Sequence, residues 1–155
     1  MSTRSLTVFV NGDTSIAQPD QDTTEVAVLY RQCDGYPKGH GAQLAAILKG
    51  MAMSNGIGSR VKGRMPYNGM GDLAVRVISA LKTQGGSDIR GDTGCDWPGN
   101  FYLYPAGTRD SGEEYLYTVS VRDARPYLRV QDGEGKQLFE GTPEKVATWI
   151  KRYKG

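Results

Sequence analysis

The sequence predicts an α+β fold, a single domain spanning residues 1–155. It would hold a mainly antiparallel sheet, two central helices and a C-terminal helix, in the order β-β-α-α-β-β-β-β-α. Three observations carry this expectation. Strand-like alternation of apolar and polar residues comes in runs near both ends of the chain. Helical spacing is confined to two central stretches and the tail. Strands and helices do not alternate one for one, which disfavours a parallel βαβ sheet.

The elements follow in order. Leu6-Thr7-Val8-Phe9-Val10 alternates and ends at Asn11-Gly12, a hairpin-type turn signal. Residues 11–24 are polar and read as a loop. In residues 25–31, Val26, Val28 and Tyr30 fall on one face and Ala27, Leu29 and Arg31 on the other, which predicts an antiparallel partner for the first strand. Residues 34–41 break the strand. Residues 43–53 carry Leu44, Ile47, Leu48 and Met51 at helical spacing, and Ser54-Asn55-Gly56-Ile57-Gly58 stops that helix. A basic, irregular stretch with Arg60, Lys62 and Arg64 follows. Asn68-Gly69-Met70-Gly71-Asp72 opens a second helix with Leu73, Val77, Ile78 and Leu81 inward, ending at Gln84-Gly85-Gly86. Residues 85–100 read as a long Gly/Asp loop, of a length often given to function. Strands are expected at 101–104, 114–121, 127–130 and 136–140, with a tight turn at 132–135. Thr142-Pro143 starts the last helix as N-cap and first helical residue. Its stripe of Val146, Trp149, Ile150 and Tyr153 should dock on the sheet.

Composition narrows the function classes. The net charge of +2, with interspersed charges, gives no electrostatic case for bulk nucleic-acid binding. No apolar run approaches a membrane span. One histidine and two distant cysteines cannot complete a usual metal set, so no metal and no cofactor are expected. A Cys33–Cys95 disulfide is one arrangement. The lack of a secretory signal at the N-terminus instead argues for a reducing cytoplasm and free thiols.

Several segments occur together in one order: Tyr30-Arg31-Gln32, Asp34-Gly35-Tyr36-Pro37, Gly39-His40-Gly41, Asn55-Gly56-Ile57-Gly58, Asn68-Gly69-Met70-Gly71, Tyr102-Leu103-Tyr104-Pro105 and Gly112-Glu113-Glu114-Tyr115. This set resembles a family of small uncharacterised proteins of bacteria and their phages, over residues 25–121. Cys33 stands where that pattern has an aromatic residue and Asp72 where it has a small one. The resemblance implies a mobile-element setting, and with it counter-defence or sequestration of a host signal in the host cytoplasm.

The strongest chemical signal is the pair of glycine-rich helix starts, Gly39-His40-Gly41 and Asn68-Gly69-Met70-Gly71. Free N–H groups and the helix dipole at such positions suit an anion. Arg31 and Lys38 flank the first. The expected ligand is a small phosphorylated or nucleotide-like molecule, with Arg31, Asp34, Tyr36, Lys38, Gly39, His40, Gly41, Asn68, Gly69, Gly71, Tyr104 and Glu113 as its binding residues. The bland alternative is that these glycines only turn and cap the chain, and Asp72 could itself neutralise the second helix end. His40 is the weak candidate for general acid or base, with Asp34 or Glu113 as an acidic partner, if the protein is an enzyme. Cys33 beside Asp34 is a poor nucleophile, because a neighbouring carboxylate disfavours the thiolate. Tyr36, Tyr102, Tyr104, Tyr115 and Tyr117 could stack a base, although alternating tyrosines in strands more often pack a sheet. Three readings result: a non-enzymatic ligand-binding protein, which is preferred, a small enzyme acting on the same ligand, and an inhibitor of a host protein by surface contact. A homo-oligomer is a further expectation.

Overall fold

The protein is described by a computed structural model covering residues 2–12, 24–54, 63–87 and 100–155. Eight strands and three helices are seen among these residues: β1 Ser5–Val10, β2 Glu25–Arg31, α1 Ala42–Leu48, β3 Met51–Met53, β4 Met65–Tyr67, α2 Gly69–Ser87, β5 Phe101–Tyr104, β6 Tyr115–Arg122, β7 Arg125–Asp132, β8 Gln137–Gly141 and α3 Pro143–Arg152. The α+β expectation holds.

Six strands form one sheet in the order β5-β2-β1-β6-β7-β8, and every neighbouring pair is antiparallel except β1 with β6. The alternation read in the sequence sets which side each residue serves. Phe9, Leu29, Tyr117, Val119, Leu128 and Val130 face the helices and join Leu44, Leu48, Leu73, Val77, Val146 and Ile150 in the main core. Leu6, Val8, Val10, Val28 and Tyr30 form a second, smaller cluster on the other side, with Tyr104 and Leu116 against it. Every residue of β1 is buried, as befits a strand with a core on each face.

α3 docks as its stripe predicts. Val146 and Ile150 are buried, and Trp149 stacks on Phe139 with ring centroids 5.2 Å apart. Thr142 takes the N-cap backbone conformation with Pro143 following, although its hydroxyl makes no cap bond to the backbone.

Three local expectations need correction. The helix expected over 43–53 begins earlier and stops earlier. A π-helical turn, Pro37–Gly41, leads directly into α1, which ends at Leu48. Gly50 has φ +78°, a left-handed conformation that glycine adopts at no steric cost, and it turns the chain out of the helix. Met51–Met53 then pairs in parallel with Met65–Tyr67 as a separate two-stranded sheet. The second helix runs through Gly85 and Gly86 to Ser87. The expected stop at residues 55–58 lies outside the described residues, as do Arg60, Lys62 and most of the long Gly/Asp loop.

Candidate functional site

β2 ends in a turn that seals a polar cluster beneath the helices. Asp34 adopts φ +57°, which a short acidic side chain tolerates, and reverses the chain. Its carbonyl accepts the His40 N–H at 3.0 Å and the Tyr36 carbonyl accepts the Gly39 N–H at 3.0 Å. The π-turn thus begins at Pro37, and these two N–H groups are already used. Close approach to the protein itself requires glycine at 39 and crowds position 41. A Cβ on Gly39 would lie 2.6 Å from the Asp34 carbonyl oxygen, and one on Gly41 would lie 3.1 Å from the Tyr117 ring.

His40 is completely buried. Its Nδ1 lies 3.1 Å from Arg31 Nη1 and its Nε2 lies 2.7 Å from Thr7 Oγ1. Arginine only donates, so Nδ1 must be an acceptor and the single ring proton sits on Nε2, donated to Thr7. Burial, and then the Arg31 charge, hold the His40 pKa well below its usual value, so the imidazole is neutral. The Arg31 guanidinium also donates to the Cys33 carbonyl at 2.5 Å and to the Gln43 side-chain oxygen, and lies 5.1 Å from the Phe101 ring centroid. Burial pulls the Arg31 pKa down, and nearby Asp34 opposes that shift. Asp34 Oδ2 is buried and has no hydrogen-bond partner. Tyr117 closes the cluster, donating to the Gly35 carbonyl at 2.8 Å and meeting the His40 ring edge-on. This geometry makes His40 and Arg31 a polar joint between β1, β2 and the π-turn, with no ring nitrogen open to solvent.

The second helix start is closed differently. The Asp72 carboxylate accepts the Asn68 N–H at 2.8 Å and holds Arg76 at 3.0 Å. Arg76 first, and then the Asn68 N–H, keep the Asp72 pKa below the usual carboxylate value. The anion at this helix end is therefore the chain's own. Gly69 serves a positive φ and Gly71 faces open space. Glu113 is likewise engaged locally, accepting the Ser111 N–H at 2.7 Å and the Asp110 N–H at 3.2 Å in its own turn.

The other face of the same strands carries a different cluster. Tyr30 of β2 stacks on Tyr104 of β5, with centroids 5.2 Å apart and planes 16° from parallel, and lies 6.0 Å from Tyr102. Tyr30 is nearly buried, whereas Tyr102 is 40% exposed. The Tyr30 hydroxyl donates to Gln32 Oε1 at 2.9 Å, and the Arg4 charge is close enough to act on it. The Arg4 guanidinium continues across to Gly112, where an added Cβ would stand 2.8 Å from Nη1. Beyond the strand ends, Glu25 pairs with Arg109 and accepts the Gly107 N–H at 2.6 Å.

The structure therefore divides the expected site. Arg31, Asp34, Gly39, His40 and Gly41 come together, with Tyr36 and Lys38 on the exposed side of the turn. Tyr104 lies on the opposite sheet face. Asn68, Gly69 and Gly71 belong to a helix start that Asp72 occupies. Thr7 and Arg4 escaped the sequence reading because their partners, His40 and Tyr30, are far along the chain. Tyr115 and Tyr117 belong to the helix-covered face, and the latter is fully buried.

Cys33 is disulfide-bonded, which overturns the expectation of a free thiol and removes it as a nucleophile. Cys95 lies outside the described residues. Among the described residues, no group of three His, Cys, Asp or Glu side chains could hold a metal, and no helix is long and apolar enough to cross a membrane. No family model, curated protein or solved structure matches this chain.

Proposed function

We propose that this protein is a non-enzymatic binding protein that captures a small phosphorylated or nucleotide-derived ligand, and that it does so on the tyrosine face rather than at the two glycine-rich helix starts. The observation that carries this reading is the Tyr30–Tyr104–Tyr102 cluster with Arg4 beside it. Aromatic rings accept a base by stacking, at about 1–3 kcal/mol each, and a guanidinium matches phosphate geometry. Tyr30, Gln32, Tyr102, Tyr104 and Gly112 come from segments of the family-like pattern that are distant in sequence, and they converge here. The resemblance to small bacterial and phage proteins extends the proposal to sequestration of a host signal as counter-defence. The neutral, sealed state of His40 supports binding over catalysis, since it offers no proton-transfer group to a bound molecule.

The test is thermal denaturation and calorimetry of the full chain with a panel of mononucleotides, cyclic mono- and dinucleotides and dinucleotide cofactors. At a ligand concentration 100 times Kd, linkage adds about 2.7 kcal/mol, which corresponds to a rise in Tm of roughly 5–10 °C. Tyr102→Ala and Arg4→Ala should each diminish the shift, and mass analysis should return the ligand unchanged. Absence of any shift across the panel, or a shift that neither substitution diminishes, would discard the tyrosine face as the site. A chemically altered ligand would favour the enzyme reading.

A further inference from the structure

Tyr30 and Tyr104 are already stacked on each other, with 5.2 Å between centroids and planes 16° apart. A base held between two rings needs them roughly 7 Å apart, twice the carbon–carbon contact distance of about 3.5 Å. Tyr30 and Tyr102 touch as well, at 6.0 Å and 49°, and a pair so tilted forms no parallel-walled slot. Tyr30 is 6% exposed and Tyr104 is partly buried. Tyr102, at 40%, is the most open of the three rings and the one with a face free for a base.

Two polar groups stand beside that ring. Tyr30 lies opposite Tyr102 in the sheet, and the Gln32 N–H, donated to the Asn100 carbonyl at 2.9 Å, continues the same register. Gln32 therefore follows Tyr30 on the face that carries Tyr102, within the diagonal reach of a long side chain. Its Oε1 accepts the Tyr30 hydroxyl, and the two N–H donors of its amide nitrogen have no acceptor among the described residues. Arg4, whose charge acts on the Tyr30 hydroxyl, forms no ion pair among the described residues.

We propose that the tyrosine face seats a single base on the open side of Tyr102 and that the Gln32 amide reads its edge, so that the ligand is a one-base nucleotide whose base presents a carbonyl oxygen, as guanine and uracil do. This rests on the tyrosine face being the ligand site, and goes further by fixing the number of bases and the chemistry of the edge. Gln32 N–H groups pair with the carbonyl oxygen of guanine or uracil. At the corresponding ring position adenine and cytosine carry an amino group, which is itself a donor. Such a base leaves the Gln32 donors unmatched, and a site built to hydrogen-bond its ligand discriminates on that ground. A second base finds no second open ring and adds no stacking. The phosphate lies toward Arg4, where a guanidinium without a carboxylate partner can receive it.

The experiment is calorimetry of the full chain with AMP, GMP, CMP and UMP, and with the phosphorylated dinucleotides pGpG and pUpU. GMP and UMP are expected to bind ~5-fold or more tightly than AMP and CMP, the worth of one hydrogen bond. Each dinucleotide is expected to match its mononucleotide within ~5-fold, since a second stacked base would add at least that much. Gln32→Glu keeps an acceptor for the Tyr30 hydroxyl and removes the donors, so it should cancel or reverse the preference for GMP and UMP. Its Tm checks that the fold is kept, and Gln32→Met provides a second variant should it not be. A dinucleotide that binds more than ~5-fold better, and is weakened by Tyr102→Ala, would overturn the single seat while leaving the tyrosine face as the site. Equal binding of the four mononucleotides, a preference for AMP and CMP, or a preference unmoved in both Gln32 variants would overturn the proposal through Gln32. Absence of any binding that depends on Tyr102 would overturn the tyrosine face itself, and this inference with it.

Discussion

On β2 the neighbouring residues Tyr30 and Arg31 point to opposite faces of the sheet, and the two faces are built differently. Arg31 enters a space closed by the π-turn, α1 and Tyr117, where its Nε and Nη1 donate to three acceptors fixed by the chain. Tyr30 joins a layer that ends in the 40%-exposed Tyr102. The residues with the most reactive side chains, Arg31 and His40, are thus the ones committed to structure. The residues that alternate like ordinary sheet packing present the accessible surface. Reactivity on paper and accessibility in the fold are separate properties, and on this sheet they are inverted.

The largest expected effects come from breaking the buried side. Arg31→Met removes the donor to His40 Nδ1, Gln43 and the Cys33 carbonyl, and leaves two buried acceptors, one part-buried acceptor and the Asp34 carboxylate uncompensated. Removing one partner from a buried charged network costs about 3–5 kcal/mol, or roughly 6–20 °C in Tm. Arg31→Lys should not rescue it, because an ammonium cannot reproduce the fork that serves three acceptors. A loss under 1 kcal/mol by chemical denaturation would mean that the cluster is not a structural joint. Reduction of the Cys33 disulfide comes next. The β2 end is also tied to Asn100, which accepts the Cys33 N–H at 2.8 Å through its side chain and the Gln32 N–H at 2.9 Å through its carbonyl. Loss of the cross-link should cost about 2–4 kcal/mol, read as a lower Tm in dithiothreitol. An unchanged Tm would show that the hydrogen bonds alone hold this end.

The sequence revealed the sheet because alternation in 6–10, 25–31 and 114–121 fixes strand identity and facing at once. It revealed α3 because Thr142-Pro143 and the Val146–Ile150 stripe agree. It could not reveal β3, since Met51-Ala52-Met53 continues the apolar spacing of α1 and only Gly50 marks the break. The site was half legible for a related reason. Glycine signals close approach, but the signal is the same whether the approaching group is a phosphate or the Asp34 carbonyl. Alternation assigns Tyr102 and Tyr104 to a face without saying whether helices cover it. Arg4 and Thr7 carry no local signal at all, because each acquires its role from a residue that only the strand register brings near.

A pair of tyrosine substitutions sharpens the contrast between faces. Tyr102→Ala should weaken nucleotide binding by the loss of one stacking surface, about 1–3 kcal/mol, or roughly 5- to 150-fold in Kd, with little change in stability. Tyr117→Phe should do the reverse. It deletes the hydrogen bond to the Gly35 carbonyl, costs about 1–1.5 kcal/mol of stability, and leaves affinity intact. Calorimetry and denaturant titration on the same two proteins measure both quantities. If Tyr117→Phe lowers affinity while Tyr102→Ala does not, the working face is the helix-covered one.

The smallest effect tests the state of His40. In the folded protein burial and Arg31 keep the imidazole neutral far below its ordinary value near 6.5. The unfolded chain binds a proton at that ordinary value. Below pH 6.5 the unfolded state therefore holds more protons than the folded one, and stability must fall as the pH falls. The loss is about 1.4 kcal/mol per pH unit, continuing until the folded imidazole itself protonates. Above pH 6.5 the contribution is full and flat. His40→Gln, whose amide can still offer an oxygen to Arg31, should lower stability at neutral pH yet remove this slope. The two proteins should therefore converge between pH 6.5 and about 5. The measurement is the difference in unfolding free energy between wild type and variant across that window. Parallel curves would mean that His40 titrates normally in the folded state, and the neutral joint with Arg31 and Thr7 would have to be abandoned.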